Sequence, residues 1–143
     1  MSGILVALLS GALMSVQGIF NTEVTKQTSL WVSSAFVQLT ALAVCLIAWI
    51  WTGGSSVSSL WKVEPRYMLL GGVIGAFITV TVIKSMNALG PAKAEMMIVL
   101  SQIAVAYLIE LLGMFGVEKQ PLEWRKVMGL LVMGAGIVLF NRK

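Results

Sequence analysis

The chain has 143 residues, of which 58% are hydrophobic and 11% are charged, and its formal net charge is +4. A soluble domain carries about 25% charged residues, and a fold of this length in water would expose apolar patches that drive aggregation. The composition therefore excludes an ordinary water-soluble domain and favours a protein whose solvent is membrane lipid.

The residue types also limit the chemistry that the chain can perform. It has no His and a single Cys, Cys45. Zinc sites and His-based catalytic triads need residues that are absent, and one Cys cannot form a disulfide within the chain. The basic residues form no block, and no motif that reads nucleic acid is present. We therefore expect no enzyme, no metal, no cofactor and no nucleic-acid partner.

Five apolar segments are long enough, or nearly so, to cross a bilayer, which takes about 20 residues of helix. The first lacks the basic start of a cleavable signal peptide and is predicted to be a retained helix. Turn-forming TGGSS ends the second, Pro65 precedes the third, and Gly90-Pro91 separates the third from the fourth. The fifth is the shortest. The predicted helices cover residues 3–20, 30–51, 67–89, 94–117 and 124–140.

These segments show helix-length apolar runs and lack the alternation of barrel strands. The sequence therefore predicts an all-α membrane protein, with residues 1–143 forming one domain of five transmembrane helices.

Two charges flank the turn between the third and fourth helices. Lys84 precedes Gly90 by six residues and Glu95 follows it by five, which places both roughly 8–9 Å from the turn along antiparallel helices. A lone charge at that depth is expensive, and a partner or a wet cavity lowers the cost. We expect Lys84 and Glu95 to form a charge pair or gate. The open alternatives are that Glu95 binds a cation or proton, or lies at the interface.

Amides and acids recur on several predicted helices. Glu95 and Gln102 lie within about 20° of each other on the fourth helix, and Glu110 lies about 80° further round. Polar groups cannot face lipid cheaply, so we expect them to converge on a hydrophilic chamber. The predicted solute-binding residues are Gln17, Asn21, Gln38, Glu95 and Gln102. The alternatives are that the amides hydrogen-bond helices together and that Glu110 reaches the headgroups.

The basic residues do not fix an orientation. With five spans, one side of the membrane receives the amino terminus and the second and fourth loops. Each side then holds five basic residues, where the positive-inside rule expects a bias. This balance permits insertion in both orientations; the alternative is a fixed topology set by a few loop charges. One side has Lys62, Arg66, Lys119, Arg125 and Lys126, and the other has Lys26, Lys84, Lys93, Arg142 and Lys143.

Four stretches carry a resemblance to a known family: VQGIFN (16–21), GGVIGAF (71–77), LGPAKAEMMIVLSQ (89–102) and IELLGMFGVEKQPLEWRKVMGLLVMGAGIVL (109–139). The chain resembles the YdcZ-like five-helix family of the drug/metabolite transporter superfamily, related to small multidrug resistance proteins. The resemblance implies half of a ten-helix transporter fold that works as an antiparallel (inverted) dimer. The partner would be a second copy or a homologous subunit, in a bacterial inner (plasma) membrane.

The resemblance also assigns residues. Gln17, Asn21 and Gln102 match the family's amides, and Glu110 stands where an Asp is common, as a possible coupling acid. Glu95 occupies a position that is usually uncharged. The first helix lacks the mid-membrane Glu by which small multidrug resistance proteins couple protons to cationic drugs, which disfavours that mechanism.

Together these features predict a secondary transporter for a small solute, an exporter or exchanger, working by alternating access in an antiparallel dimer. The alternative is a non-transporting membrane subunit that scaffolds or regulates a homologous partner.

Overall fold

The computed structural model describes residues 2–142, which form five α-helices and two short 3₁₀ helices. The α-helices are α1 (Ser2–Gln27), α2 (Leu30–Trp51), α3 (Gly71–Leu89), α4 (Pro91–Leu112) and α5 (Trp124–Asn141), and the 3₁₀ helices Val57–Lys62 and Arg66–Leu70 lie between α2 and α3. Each of the five α-helices, α3 together with the 3₁₀ helix before it, is long and apolar enough to cross a membrane. The prediction of an all-α protein with five membrane-spanning helices is confirmed.

Three helices differ from the prediction by more than one residue at an end. The third begins as an α-helix at Gly71 rather than at residue 67, because Arg66–Leu70 forms a 3₁₀ helix. In the other two, the difference has a local reason. α1 continues to Gln27, past the apolar run, and the Thr22 hydroxyl donates to the Gly18 carbonyl at 2.8 Å inside this extension. α4 ends at Leu112 because Gly113 takes a left-handed conformation (φ +65°), and its N–H donates to the Ile109 carbonyl at 2.9 Å. This is the usual glycine end of a helix.

The start of α4 follows from a second local signal. Gly90 precedes the helix with φ +80°, and Pro91 occupies the first helical turn. Proline suits that position because its missing N–H would have no partner inside the helix. The helix therefore begins three residues before the predicted start at residue 94.

The chain divides into two compact units, the first ending at Asn87 and the second beginning at Ala88. In the first unit, only Thr28 and Ser29 separate α1 from α2. The Ser29 hydroxyl accepts from the Val32 N–H at 3.3 Å and caps α2. One turn further on, the buried Ser33 hydroxyl donates to the Asn21 carbonyl at 3.0 Å and ties α2 to α1.

The third helix packs on α1 through Met86 and Val82, which both lie against Gly18. Met86 is 2% exposed, and its sulfur lies 3.8 Å from the Thr22 hydroxyl. A Cβ on Gly18 would lie 2.5 Å from the Met86 methyl group, so the methionine fills the space that the glycine leaves. Small residues permit this kind of close packing between membrane helices.

The second unit is a hairpin of α4 and α5. Its connection folds back on α4: the Gln120 N–H donates to the Glu110 carbonyl at 2.9 Å, and Lys119 lies over Gly113. Tyr107 is the buried aromatic residue on the α5 side of α4. In both units at most 11% of each apolar span is buried, which leaves most side chains available to lipid or to another chain.

Candidate functional site

The first unit contains a groove of about 300 Å³ between α2 and α3. Its polar residues are Ser34 and Gln38, one helical turn apart on α2, and its aromatic residues are Trp31 on α2 and Phe77 on α3. The rest of the lining is Ala35, Val73, Ala76 and Val80, so no lining residue carries a charge.

Ser33 and Ser34 on α2 face two different neighbouring helices. They lie about 100° apart round the helix; Ser33 bonds to α1, and Ser34 lines the groove toward α3. Gln38 extends toward α3, where its amide nitrogen lies 4.0 Å from the position that a Cβ on Gly75 would occupy. The Gln38 amide and Gly75 are therefore neighbours across the α2–α3 groove.

The second unit contains a groove of about 460 Å³ between α4 and α5. Most of its lining is apolar and includes Ile103, Leu130 and Met133. Glu110 and Lys126 also line the groove and carry charge. The groove thus differs from the first in having ionised groups beside an apolar surface.

The charged side of this groove is a connected cluster. The Lys126 ammonium lies 3.2 Å from a Glu123 carboxylate oxygen and 3.8 Å from a Glu110 carboxylate oxygen, and it stands 5.4 Å above the centre of the Tyr107 ring. The pairs are partly exposed, with 41–48% of each side chain accessible. Exposed ion pairs of this kind contribute little to stability in water, but in lipid they satisfy charges that would otherwise lack partners.

The predicted amides occupy different surroundings. Asn21 is 8% exposed in the α1–α2 interface, and Gln38 is half-buried in the α2–α3 groove. Gln17 and Gln102 are exposed. Gln102 lies about 140° round α4 from Tyr107, away from the side that packs on α5. Within residues 2–142 neither the Gln17 nor the Gln102 side chain makes a hydrogen bond.

The predicted charges Lys84 and Glu95 belong to different units. Lys84 is exposed on α3 in the first unit, and Glu95 is half-buried on α4 in the second; their pairing stays a prediction. Glu110, the possible coupling acid, stands within ion-pair distance of Lys126. Among residues 2–142 there is no group of three or more His, Cys, Asp or Glu residues that could hold a metal ion.

Among the hydroxyl-bearing and charged residues of these grooves, Ser34, Tyr107 and Lys126 were not predicted from the sequence as site residues. Tyr107 had a usable signal, because a tyrosine inside an apolar helix needs a partner for its hydroxyl. For Ser34 and Lys126 the sequence gives the helix face but not the neighbouring helix.

Comparison with known proteins agrees with this architecture. The family model described as "Putative inner membrane exporter, YdcZ" matches residues 2–139. No curated protein and no solved structure matches the chain. The family match reaches into all five helices and confirms the resemblance to the YdcZ-like family. The chain is therefore a multi-pass protein of the inner membrane, and it belongs to the YdcZ exporter family.

Proposed function

We propose that the protein exports a small solute by alternating access, as an antiparallel dimer with a second copy or a homologous subunit. The family description supports transport. The proposed dimer and its solute site are supported by two unpaired amides, Gln17 and Gln102, which are exposed on membrane-spanning helices.

An exposed amide is costly in lipid, where water is absent and every polar group needs a partner. Neither Gln17 nor Gln102 obtains one within residues 2–142. A second chain that covers these faces would remove both amides from lipid. Repeat-built transporters place their solute site near the bilayer midplane between two halves, and the two amides would then line such a site together with Asn21, Glu95 and Gln38.

Flux measurements on purified protein in liposomes test the proposal. We first select solutes that raise the melting temperature in detergent, from a panel of amines, guanidines, sugars, amino acids and amides, since a ligand that favours the native state stabilises it. Uptake of the selected solute should saturate with concentration. Uptake that rises linearly, or that equals empty liposomes, overturns the proposal and favours a non-transporting subunit.

Two substitutions connect the flux to the amides. Gln17→Leu and Gln102→Leu should each lower flux at least tenfold, about the effect of removing one hydrogen bond to a bound solute, and should leave the melting temperature unchanged. Gln27→Leu is the matched control, because Gln27 is also exposed but ends α1 outside the apolar run. Full flux in both test variants contradicts the assigned site.

A further inference from the structure

Ser34, which lines the groove between α2 and α3, has a buried hydroxyl without a hydrogen-bond partner. Ser34 is 6% exposed, and its Oγ is one of two buried side-chain polar atoms in residues 2–142 without a hydrogen bond. Other helix hydroxyls in the same unit donate to a carbonyl of their own helix: Thr22 to Gly18, Thr40 to Phe36 and Thr79 to Gly75. Ser34 forms no such bond. A buried hydroxyl left unpaired costs stability.

A second polar group stands one turn away on the same wall. The Gln38 amide lines the groove, and within residues 2–142 it makes no side-chain hydrogen bond. Gln38 lies eight residues into α2, about 12 Å from the helix start along its axis, which is below the headgroup region. An amide supplies both donors and an acceptor. Two side chains capable of hydrogen bonding, Gln38 and Ser34, therefore belong to a lining whose accessible surface is almost entirely apolar.

The residues that line the groove determine which charge a bound molecule can carry. No acidic or basic residue contributes to the groove, so an ionised guest would be buried without a counter-charge, which is strongly unfavourable. Trp31 and Phe77 present aromatic surface at the groove, and the volume of about 300 Å³ is at the small end of ligand pockets. The guest is therefore small, flat and uncharged.

We propose that this groove binds an uncharged, planar solute bearing a carboxamide or an equivalent donor–acceptor edge. The edge pairs with the Gln38 amide and recruits the Ser34 hydroxyl, which turns between rotamers to donate to the carbonyl oxygen. The ring of the solute lies against Trp31 and Phe77. The inference depends on the proposed function at one point only: it identifies the bound molecule with the transported solute.

Equilibrium dialysis of radiolabelled benzamide against the purified full chain tests the site. Benzamide should bind saturably. Benzoate and benzamidinium, which have the same shape and opposite charges, should compete at least tenfold more weakly than unlabelled benzamide. Equal competition by either ion, or no saturable binding, overturns the proposal; the latter is the result expected if a lipid chain or a second copy fills the groove.

Two mild variants locate the binding. Gln38→Leu should weaken benzamide binding about tenfold and Ser34→Ala about threefold, as expected for one strong and one weaker neutral hydrogen bond. Ser101→Ala is the matched control, because the Ser101 hydroxyl already donates to the Ile98 carbonyl of its own helix, and it should bind benzamide like the parent. Unchanged binding in both test variants overturns the assignment.

The benzamide experiment and the flux experiment test the two proposals independently. Benzamide binding with these effects, but no solute flux in liposomes, removes the transporter and keeps the site. Saturable flux of another solute without benzamide binding removes the site and keeps the transporter.

Discussion

Tyr107 and the backbone of Glu123 exchange two hydrogen bonds across the α4–α5 hairpin. The Glu123 N–H donates to the phenol oxygen at 2.8 Å, and the phenol donates to the Glu123 carbonyl at 3.3 Å. Glu123 is the residue that precedes α5. One side chain of α4 therefore fixes the point at which α5 begins.

Tyr107→Phe removes both bonds and keeps the ring. We expect the free energy of unfolding in detergent to fall by about 1–2 kcal/mol, the cost of leaving partly buried backbone groups unpaired. Thermal or denaturant unfolding measures the loss. Ser101→Ala, which removes a hydroxyl from the same helix without breaking a contact to α5, should have little effect. Equal stability of Tyr107→Phe and the parent would mean that these bonds do not hold the hairpin.

Gly18 tests the packing of α3 on α1. Gly18→Leu forces a side chain into the space of the Met86 methyl group and sulfur, and overpacking of this kind typically costs about 1–3 kcal/mol. Gly11→Leu is the control on the same helix, because a Cβ there meets nothing within 4 Å. Combining Gly18→Leu with Met86→Ala should recover part of the lost stability in the same unfolding assay. No recovery would show that the two residues do not share this space.

The cluster around Lys126 predicts unequal couplings. Lys126 lies closer to Glu123 than to Glu110, so the Lys126→Met and Glu123→Gln changes should be less additive than Lys126→Met and Glu110→Gln. Both couplings should shrink between low and high salt, because the groups are partly exposed and are screened. Double-mutant cycles on unfolding at two salt concentrations measure this. A larger coupling to Glu110 would contradict the geometry.

Labelling of single cysteines tests the antiparallel arrangement. In a Cys45→Ala background, Ser55→Cys lies in the connection after α2 and Gln27→Cys at the end of α1, on opposite predicted sides. If the chain inserts in both orientations, an impermeant maleimide should label each cysteine partly from outside and partly after the membrane is opened. Complete labelling of each from one side only, with the sides opposite, excludes a self-paired inverted dimer.

Lys84 and Glu95 provide a test that the sequence alone motivates. If they pair, Lys84→Ala and Glu95→Ala should each lower stability more than the double change does, since a single change leaves an unpaired charge in the membrane. A melting-temperature comparison of the three variants decides the matter. Simple addition of the two single losses would show that the groups do not interact.

The sequence predicted the number and class of the helices well because apolar length is a strong signal for a membrane span. The ends of the helices were harder to predict than their number. Gly113 stops α4 before its apolar run is complete, and the polar end of α1 stays helical because Asn21 and Thr22 are buried against neighbours. The candidate site was harder still. The sequence placed Gln38 on the second helix as a predicted solute-binding residue, but only the position of Gly75 on α3 shows which neighbour its side chain meets.

The two-residue link between α1 and α2 constrains how the chain crosses the membrane. An extended link of two residues reaches about 10 Å, far less than the roughly 30 Å of a hydrocarbon core. Because the link cannot cross the core, the two helices must span it in opposite directions. The Ser33–Asn21 bond, which joins residues only twelve apart along the chain, closes this hairpin. The orientation of either span therefore fixes the orientation of the other.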